Sequence, residues 1–159
     1  MMPRFAVRVY GWLPRSLSNR IVRLVNPSYL IGVVAIVFDE EGRVLVLRHT
    51  YHQPPWRLPG GLLDKGEQHD EAAVRETSEE ACCEIVALQV VDAYVGQYSF
   101  DVAVLGRLVK VHPFEENPEV CERRFVGREE WGILRHEQRR FVEAAWSVWK
   151  HNGPPLRLP

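Results

Sequence analysis

Three cysteines, Cys82, Cys83 and Cys121, are all that 159 residues contain, and no CxxC spacing joins them. The adjacent pair is poorly placed to bridge itself, so neither a disulfide framework nor a zinc site is expected. A reducing cytoplasm is the simplest location for such a chain. No apolar run reaches the roughly 18 residues of a membrane span. Arg and Pro break the N-terminal apolar stretches, which makes them a poor secretory signal. The net charge of −1 supplies no global field for nucleic acid. Internal repeats and low-complexity segments are absent, and the six histidines do not cluster, so none receives a role.

Residues 1–28 lack any acid, yet they carry Arg4, Arg8, Arg15, Arg20 and Arg23. Within them Leu17, Ile21, Leu24 and Val25 fall on one face of a short helix over 16–25, stopped by Asn26-Pro27. This basic N-terminal helical extension is expected to pack on the domain or on a dimer partner; contact with RNA or a membrane surface stays open. With 46% hydrophobic residues, the remainder is large enough for one domain with a core, expected over 29–151, with a loose tail at 152–159.

Ile31 to Phe38 is a short, unbroken apolar run, as in a strand buried on both faces. Asp39 to Gly42 reads as a hairpin turn, and Arg43 to Arg48 as the returning strand. A Pro-rich loop leads from His52 to Gly61. A helix is expected from about 70 to 83, its Val74, Thr77 and Ala81 packing on the sheet. Further strands are expected at 85–91, 102–111 and 123–126, and a closing amphipathic helix at 136–151. Strands interleaved with helices that cover sheet faces give an α/β or α+β layered sandwich.

Glu76, Glu79 and Glu80 share one face of the first of these helices, since residues three and four apart are neighbours there. So much negative charge in one turn is tolerated when the face is fully solvated or when a cation sits on it. Oxygen-only ligands suit Mg²⁺ or Mn²⁺. Such an ion would in turn attract a phosphate.

The surrounding residues carry a family resemblance. Gly61, Glu67, Arg75, Glu76, Glu79 and Glu80 fall in register with the signature of the Nudix hydrolases, the Nudix box. Trp56-Arg57-Leu58-Pro59-Gly60-Gly61 resembles the family's lead-in to the box, and Phe125 to Trp131 its late strand and loop. Thr77, Cys82 and Cys83 depart from the pattern, standing for an apolar residue, Gly and an apolar residue. A Gly at 82 would suit a left-handed cap, so Cys82 leads to the expectation of a slightly altered helix exit.

The resemblance implies an α/β/α sandwich with a central mixed sheet (MutT-like). It also implies an enzyme that hydrolyses a phosphoanhydride in a nucleoside diphosphate-linked small molecule, with Mg²⁺ or Mn²⁺. On this basis Glu76, Glu80, Glu79 and the Gly60 backbone are metal-binding candidates. Arg75 pairs with Glu67 to fix the helix, and Gly61 is structural in the motif. Glu79, Glu76, Glu80 and Glu119 are candidate catalytic residues, with Glu122 a second loop acid that could act as base. Arg57, Gly61 and Tyr98 are candidate substrate contacts. Trp56 could stack on a base or serve the core. The motifs of coenzyme A, NADH and ADP-ribose pyrophosphatases are missing, while Tyr98 leans toward dinucleoside polyphosphates. Nucleoside triphosphates, nucleotide sugars and capped RNA stay open. The competing reading is a catalytically weak nucleotide- or RNA-binding regulator of the same fold. Intact box carboxylates argue against it.

Overall fold

The computed structural model describes residues 29–152. The basic helix expected at 16–25 and the tail from 153 lie outside them. The strands are β1 (Leu30–Phe38), β2 (Val44–His49), β3 (Trp56–Arg57), β4 (Gly60–Leu62), β5 (Cys83–Val95), β6 (Ser99–Val111) and β7 (Val120–Val126). The helices are α1 (His69–Ala81) and α2 (His136–Asn152), with a 3₁₀ segment at Arg128–Ile133 before α2. All seven strands join one sheet in the order β3-β2-β1-β6-β5, with β4 also on β1 and β7 also on β2. β1 runs parallel to β6 and the other pairs are antiparallel, so the sheet is mixed.

Alternation along the central strands explains the layers. In β1, Val33, Ala35 and Val37 pack with Ala72, Ala73 and Ala81 of α1. Ile36 and Phe38 turn the other way, toward Phe141, Val142 and Ala145 of α2. β2 repeats the division, with Leu45 and Leu47 on the α1 side and Val44 and Val46 on the α2 side. Successive strand residues point to opposite faces, so a strand between two helices must be apolar throughout. Burying each such side chain contributes roughly 1.5–3 kcal/mol. No helix among the described residues is long and apolar enough to cross a membrane.

Several local expectations are corrected. The stretch read as a loop before Gly61 contains β3 and β4, too short to show periodicity. Val74 is 37% exposed; the face of α1 against the sheet is formed by Ala72, Ala73, Thr77 and Ala81. Glu80 lies on that buried stripe as well. β5 and β6 are longer than expected because they pair along almost their whole length, from Cys83 with Val111 to Val95 with Phe100. That pairing shifts register three times, between Glu84 and Ile85, Ala87 and Gln89, and Val90 and Asp92. On this edge strand Val86, Leu88 and Val90 are exposed.

The expected alteration of the helix exit is absent. Cys82 takes the left-handed conformation itself, with φ 50° and ψ 43°, and its N–H donates to the Ser78 carbonyl at 3.1 Å. The chain has to reverse there because Cys83 is buried under α1. Arg123 secures the reversal by donating to the carbonyls of Ala81 at 2.6 Å and Cys82 at 3.3 Å. A side chain held left-handed costs about 1 kcal/mol, part of which glycine returns through its freer unfolded chain. Cys82→Gly is therefore expected to stabilise the fold by about 0.5 kcal/mol in urea denaturation, with no change in the denaturant slope.

Candidate active site

A cleft of about 1050 Å³ opens where α1, β4, the β2–β3 loop, the loop before β7 and the start of α2 meet. Its acidic wall begins with the two glycines of β4. A Cβ on Gly60 would overlap the Val33 carbonyl oxygen, and one on Gly61 would overlap the Glu76 carboxylate. Only glycine lets β4 lie this close to β1 while α1 presses its carboxylates down onto it.

Arg75 organises those carboxylates. Its guanidinium donates to both oxygens of Glu67, at 2.8 and 2.9 Å, to Glu76 at 2.7 Å and to Glu79 at 3.4 Å. It also donates to the Leu62 carbonyl at 3.2 Å. Glu67 accepts the Asp64 N–H at 2.9 Å as well, and together with Arg75 this holds its carboxyl down at about 2. Glu76 is thus nearly buried, while Glu79 has 62% of its side chain exposed. Glu80 is 9% exposed and accepts the Gly60 N–H at 2.9 Å. Burial, then the charges of Glu76 and Glu119, push its carboxyl up to about 7, against the pull of the Gly60 N–H and Arg57.

The site's donors are carboxylates and strand backbone, which suit a hard cation. Among the described residues, no three His, Cys, Asp or Glu side chains form a closed metal cage. A hard divalent cation such as Mg²⁺ does not require such a cage, since it is usually held by one or two carboxylates plus substrate phosphates and water. Glu80 supplies the physical fit: a crowded, buried carboxylate is relieved by a cation.

The loop before β7 brings Glu119 into the cleft. Asn117 Oδ1 accepts the N–H groups of Glu119 and Val120 at 2.9 and 2.8 Å. Thr50 ties the loop to β2, donating through its N–H to the Glu119 carbonyl at 2.9 Å and through its hydroxyl to the Pro118 carbonyl at 2.8 Å. The Tyr51 hydroxyl stands 3.4 Å from the Glu119 carboxylate. Arg57 also lines the cleft, and burial followed by the nearby Arg135 charge lowers its pKa.

Three sequence candidates lie elsewhere. Tyr98 is 71% exposed at the β5–β6 turn, outside the cleft lining, where it meets Gln97. Glu122 points from β7 to Arg48, 3.7 Å away. Trp56 packs against the α2-side core beneath the Arg124 guanidinium, 5.2 Å from its ring centre.

Conversely, His49, Tyr51, His52, Asn117, Arg135 and Gln138 enter the cleft without having been singled out. The histidines do cluster in space, the rings of His49 and His52 standing 5.3 Å apart. A signal was present in His49-Thr50-Tyr51-His52, polar ring side chains packed at the end of a core strand, and in the turn-forming Asn117-Pro118 before Glu119. Burial, then the His52 and Arg57 charges, lower His49 to about 4.

Glu80 and His49 oppose each other in metal-free protein. Glu80 holds its proton longer when folded, so its ionisation lowers stability as pH rises from about 4.5 to about 7. His49 resists protonation when folded, so it lowers stability as pH falls from about 6.5 to about 4. In chelator, Glu80→Gln is expected to leave stability at pH 4.5 nearly unchanged and to raise it by about 2 kcal/mol at pH 8. Denaturation curves at the two pH values check this; an equal effect at both would remove the buried ionised carboxylate from the account.

The NUDIX domain family model matches residues 28–147. The chain is 30% identical over 101 residues to an RNA pyrophosphohydrolase of Bartonella henselae, covering 57% of each chain. It is 32% identical over 73 residues to Nudix hydrolase 8 of Arabidopsis thaliana, covering 43% of this chain and 19% of that one. It therefore spans between about a fifth and somewhat over half of these curated relatives. A NUDIX hydrolase structure from Nitrosomonas europaea superposes with a TM-score of 0.69 at 20% identity, over 84% of this chain and 78% of that one. A MutT protein structure from Methanosarcina mazei Go1 gives 0.63 at 24% identity, over 79% and 98%. These structural likenesses carry the fold. The matched family model covers both core layers and every residue of the acidic wall, so this chain belongs to the NUDIX domain family.

Proposed function

We propose that this protein hydrolyses a phosphoanhydride bond in a nucleoside diphosphate-linked substrate, with Mg²⁺ or Mn²⁺ as cofactor. The observation that carries the reading is the meeting of Glu76, Glu79 and Glu80 with the Gly60-Gly61 strand in one cleft, with Glu119 on a pinned loop across from them. A regulator of the same fold would not need the full set of box carboxylates, all of which this chain keeps.

Glu76, Glu80 and the Gly60 backbone would hold the metal, with Glu79 close at hand. When bound, the ion supplies Lewis-acid stabilisation of charge on the phosphoryl oxygens. Arg75 prevents the carboxylates from splaying apart under their mutual repulsion. Gly61 leaves room for the pyrophosphate along β4, and Arg57 lines the same cleft as a substrate-binding side chain. Glu119 takes the proton of the attacking water, held in place by Asn117 and Thr50 so that little entropy is lost in reaching it. Water adds to one phosphorus, the bridging P–O bond breaks, and each product leaves with a phosphate.

Glu80→Gln is expected to lower kcat by at least about 100-fold while the circular dichroism spectrum stays unchanged, because it removes a metal-binding charge but keeps an acceptor for the Gly60 N–H. Glu119→Gln is expected to lower kcat by about 100-fold with KM nearly constant. A substrate panel with Mg²⁺ and Mn²⁺, read by product identity, measures both; full activity in Glu80→Gln would refute the metal assignment.

A further inference from the structure

The cleft has a second wall, of which the reaction above uses only Arg57. Arg57 on β3, Arg135 just before α2, His49 at the end of β2 and His52 within the β2–β3 loop all line it. Arg57 is half-buried, and no ion pair or hydrogen bond to its side chain occurs among the described residues. Arg135 makes one side-chain hydrogen bond, to the Gln53 carbonyl at 2.9 Å, and no ion pair among the described residues. His49 is 6% exposed, and neither ring nitrogen has a partner. Glu80 and Asp101 favour the Arg57 charge without forming an ion pair with it, Glu119 meets Tyr51, and neither these nor Glu137 pair with the Arg57 or Arg135 guanidinium among the described residues.

The half-buried Arg57 guanidinium, its charge disfavoured by burial and by the nearby Arg135, stands on the same wall as a buried imidazole with no hydrogen-bond partner. Buried polar groups are normally satisfied, and such exceptions ask for a missing partner. Guanidinium forks match phosphate oxygens, and a neutral imidazole can donate one further hydrogen bond. The acidic wall and its cation would hold the scissile pyrophosphate, so this second wall addresses another part of the same molecule. An uncharged sugar there would leave both guanidinium groups unpaired.

We propose that His49, Arg57 and Arg135 form an anion subsite, and that the preferred substrate carries a phosphate beyond the scissile pyrophosphate, as in a 5′-triphosphate. The assignment rests on the hydrolytic reading above for its kinetic test, and its binding test is independent of turnover.

Calorimetry with inorganic tripolyphosphate and pyrophosphate, in Mg²⁺, compares the wild type with Arg57→Gln and Arg135→Gln, with thermal melts to show that each variant folds. Each substitution is expected to weaken tripolyphosphate by about tenfold or more, and pyrophosphate by about threefold or less. In steady-state assays, kcat/KM for a nucleoside triphosphate and for a short RNA bearing a 5′-triphosphate is compared with that for a nucleoside diphosphate sugar. The ratio of triphosphate to sugar-linked turnover should fall by about tenfold in both variants. A fall confined to the nucleotide or to the RNA supports the subsite and identifies its source. Equal losses for both classes, or tripolyphosphate binding indifferent to both substitutions, would overturn it. Arginine-dependent tripolyphosphate binding without hydrolysis of any substrate would instead defeat the hydrolytic reading and leave the subsite standing.

Discussion

One guanidinium makes the acidic wall possible. Glu76, Glu79 and Glu80 occupy a single helical turn, and Glu67 approaches the same side from the preceding loop. Without Arg75 these groups would repel one another and the loop would swing away. The planar fork suits this task because it addresses Glu67 through two nitrogens while a third serves Glu76 and Glu79. A lysine, as a single compact charge, could not bridge a loop, a helix and a strand carbonyl together. The Gly60-Gly61 strand can then approach α1, and Glu80 is left as the one carboxylate with a backbone N–H instead of a cation for a neighbour.

This explains which features could be read in the amino-acid order. Glu67, Arg75 and the three box glutamates lie within 14 consecutive residues, from 67 to 80, so helical spacing and one short loop bring them to one side. The unbroken apolar run of β1 and the returning strand β2 were legible for the same local reason. The second wall was not. His49 ends a core strand, Arg57 sits on a two-residue strand, Asn117 lies in an acidic loop and Arg135 lies between the 3₁₀ segment and α2. Sheet pairing, β2 with β3 on one side and with β7 on the other, brings the first three together, and Arg135 joins them through its bond to the Gln53 carbonyl. Tyr98 failed in the opposite sense: counting residues beyond the box placed it near the substrate, whereas the β5–β6 hairpin carries it away to its far turn.

Val74 and Cys82 show where residue type misleads. Val74 is apolar yet outward, because its position on the helix lies beside the buried stripe of Ala72, Ala73, Thr77 and Ala81 rather than on it. Cys82 keeps a backbone geometry usually given to glycine, since the contacts on either side of it, Cys83 beneath α1 and Arg123 on the carbonyls, determine the turn more strongly than its own preference does.

The irregular pairing of β5 with β6 bears on the behaviour of the chain at high concentration. A thirteen-residue strand whose outer edge has no neighbour among the described residues, with valines and a leucine showing, is the kind of surface on which foreign strands stack. Each of the three register shifts kinks and twists the ribbon, so a straight incoming strand could align its hydrogen bonds over only a few residues before losing step. The bulges therefore act as built-in interruptions to self-templating, and their removal would leave the same hydrophobic side chains on a continuous, sticky border.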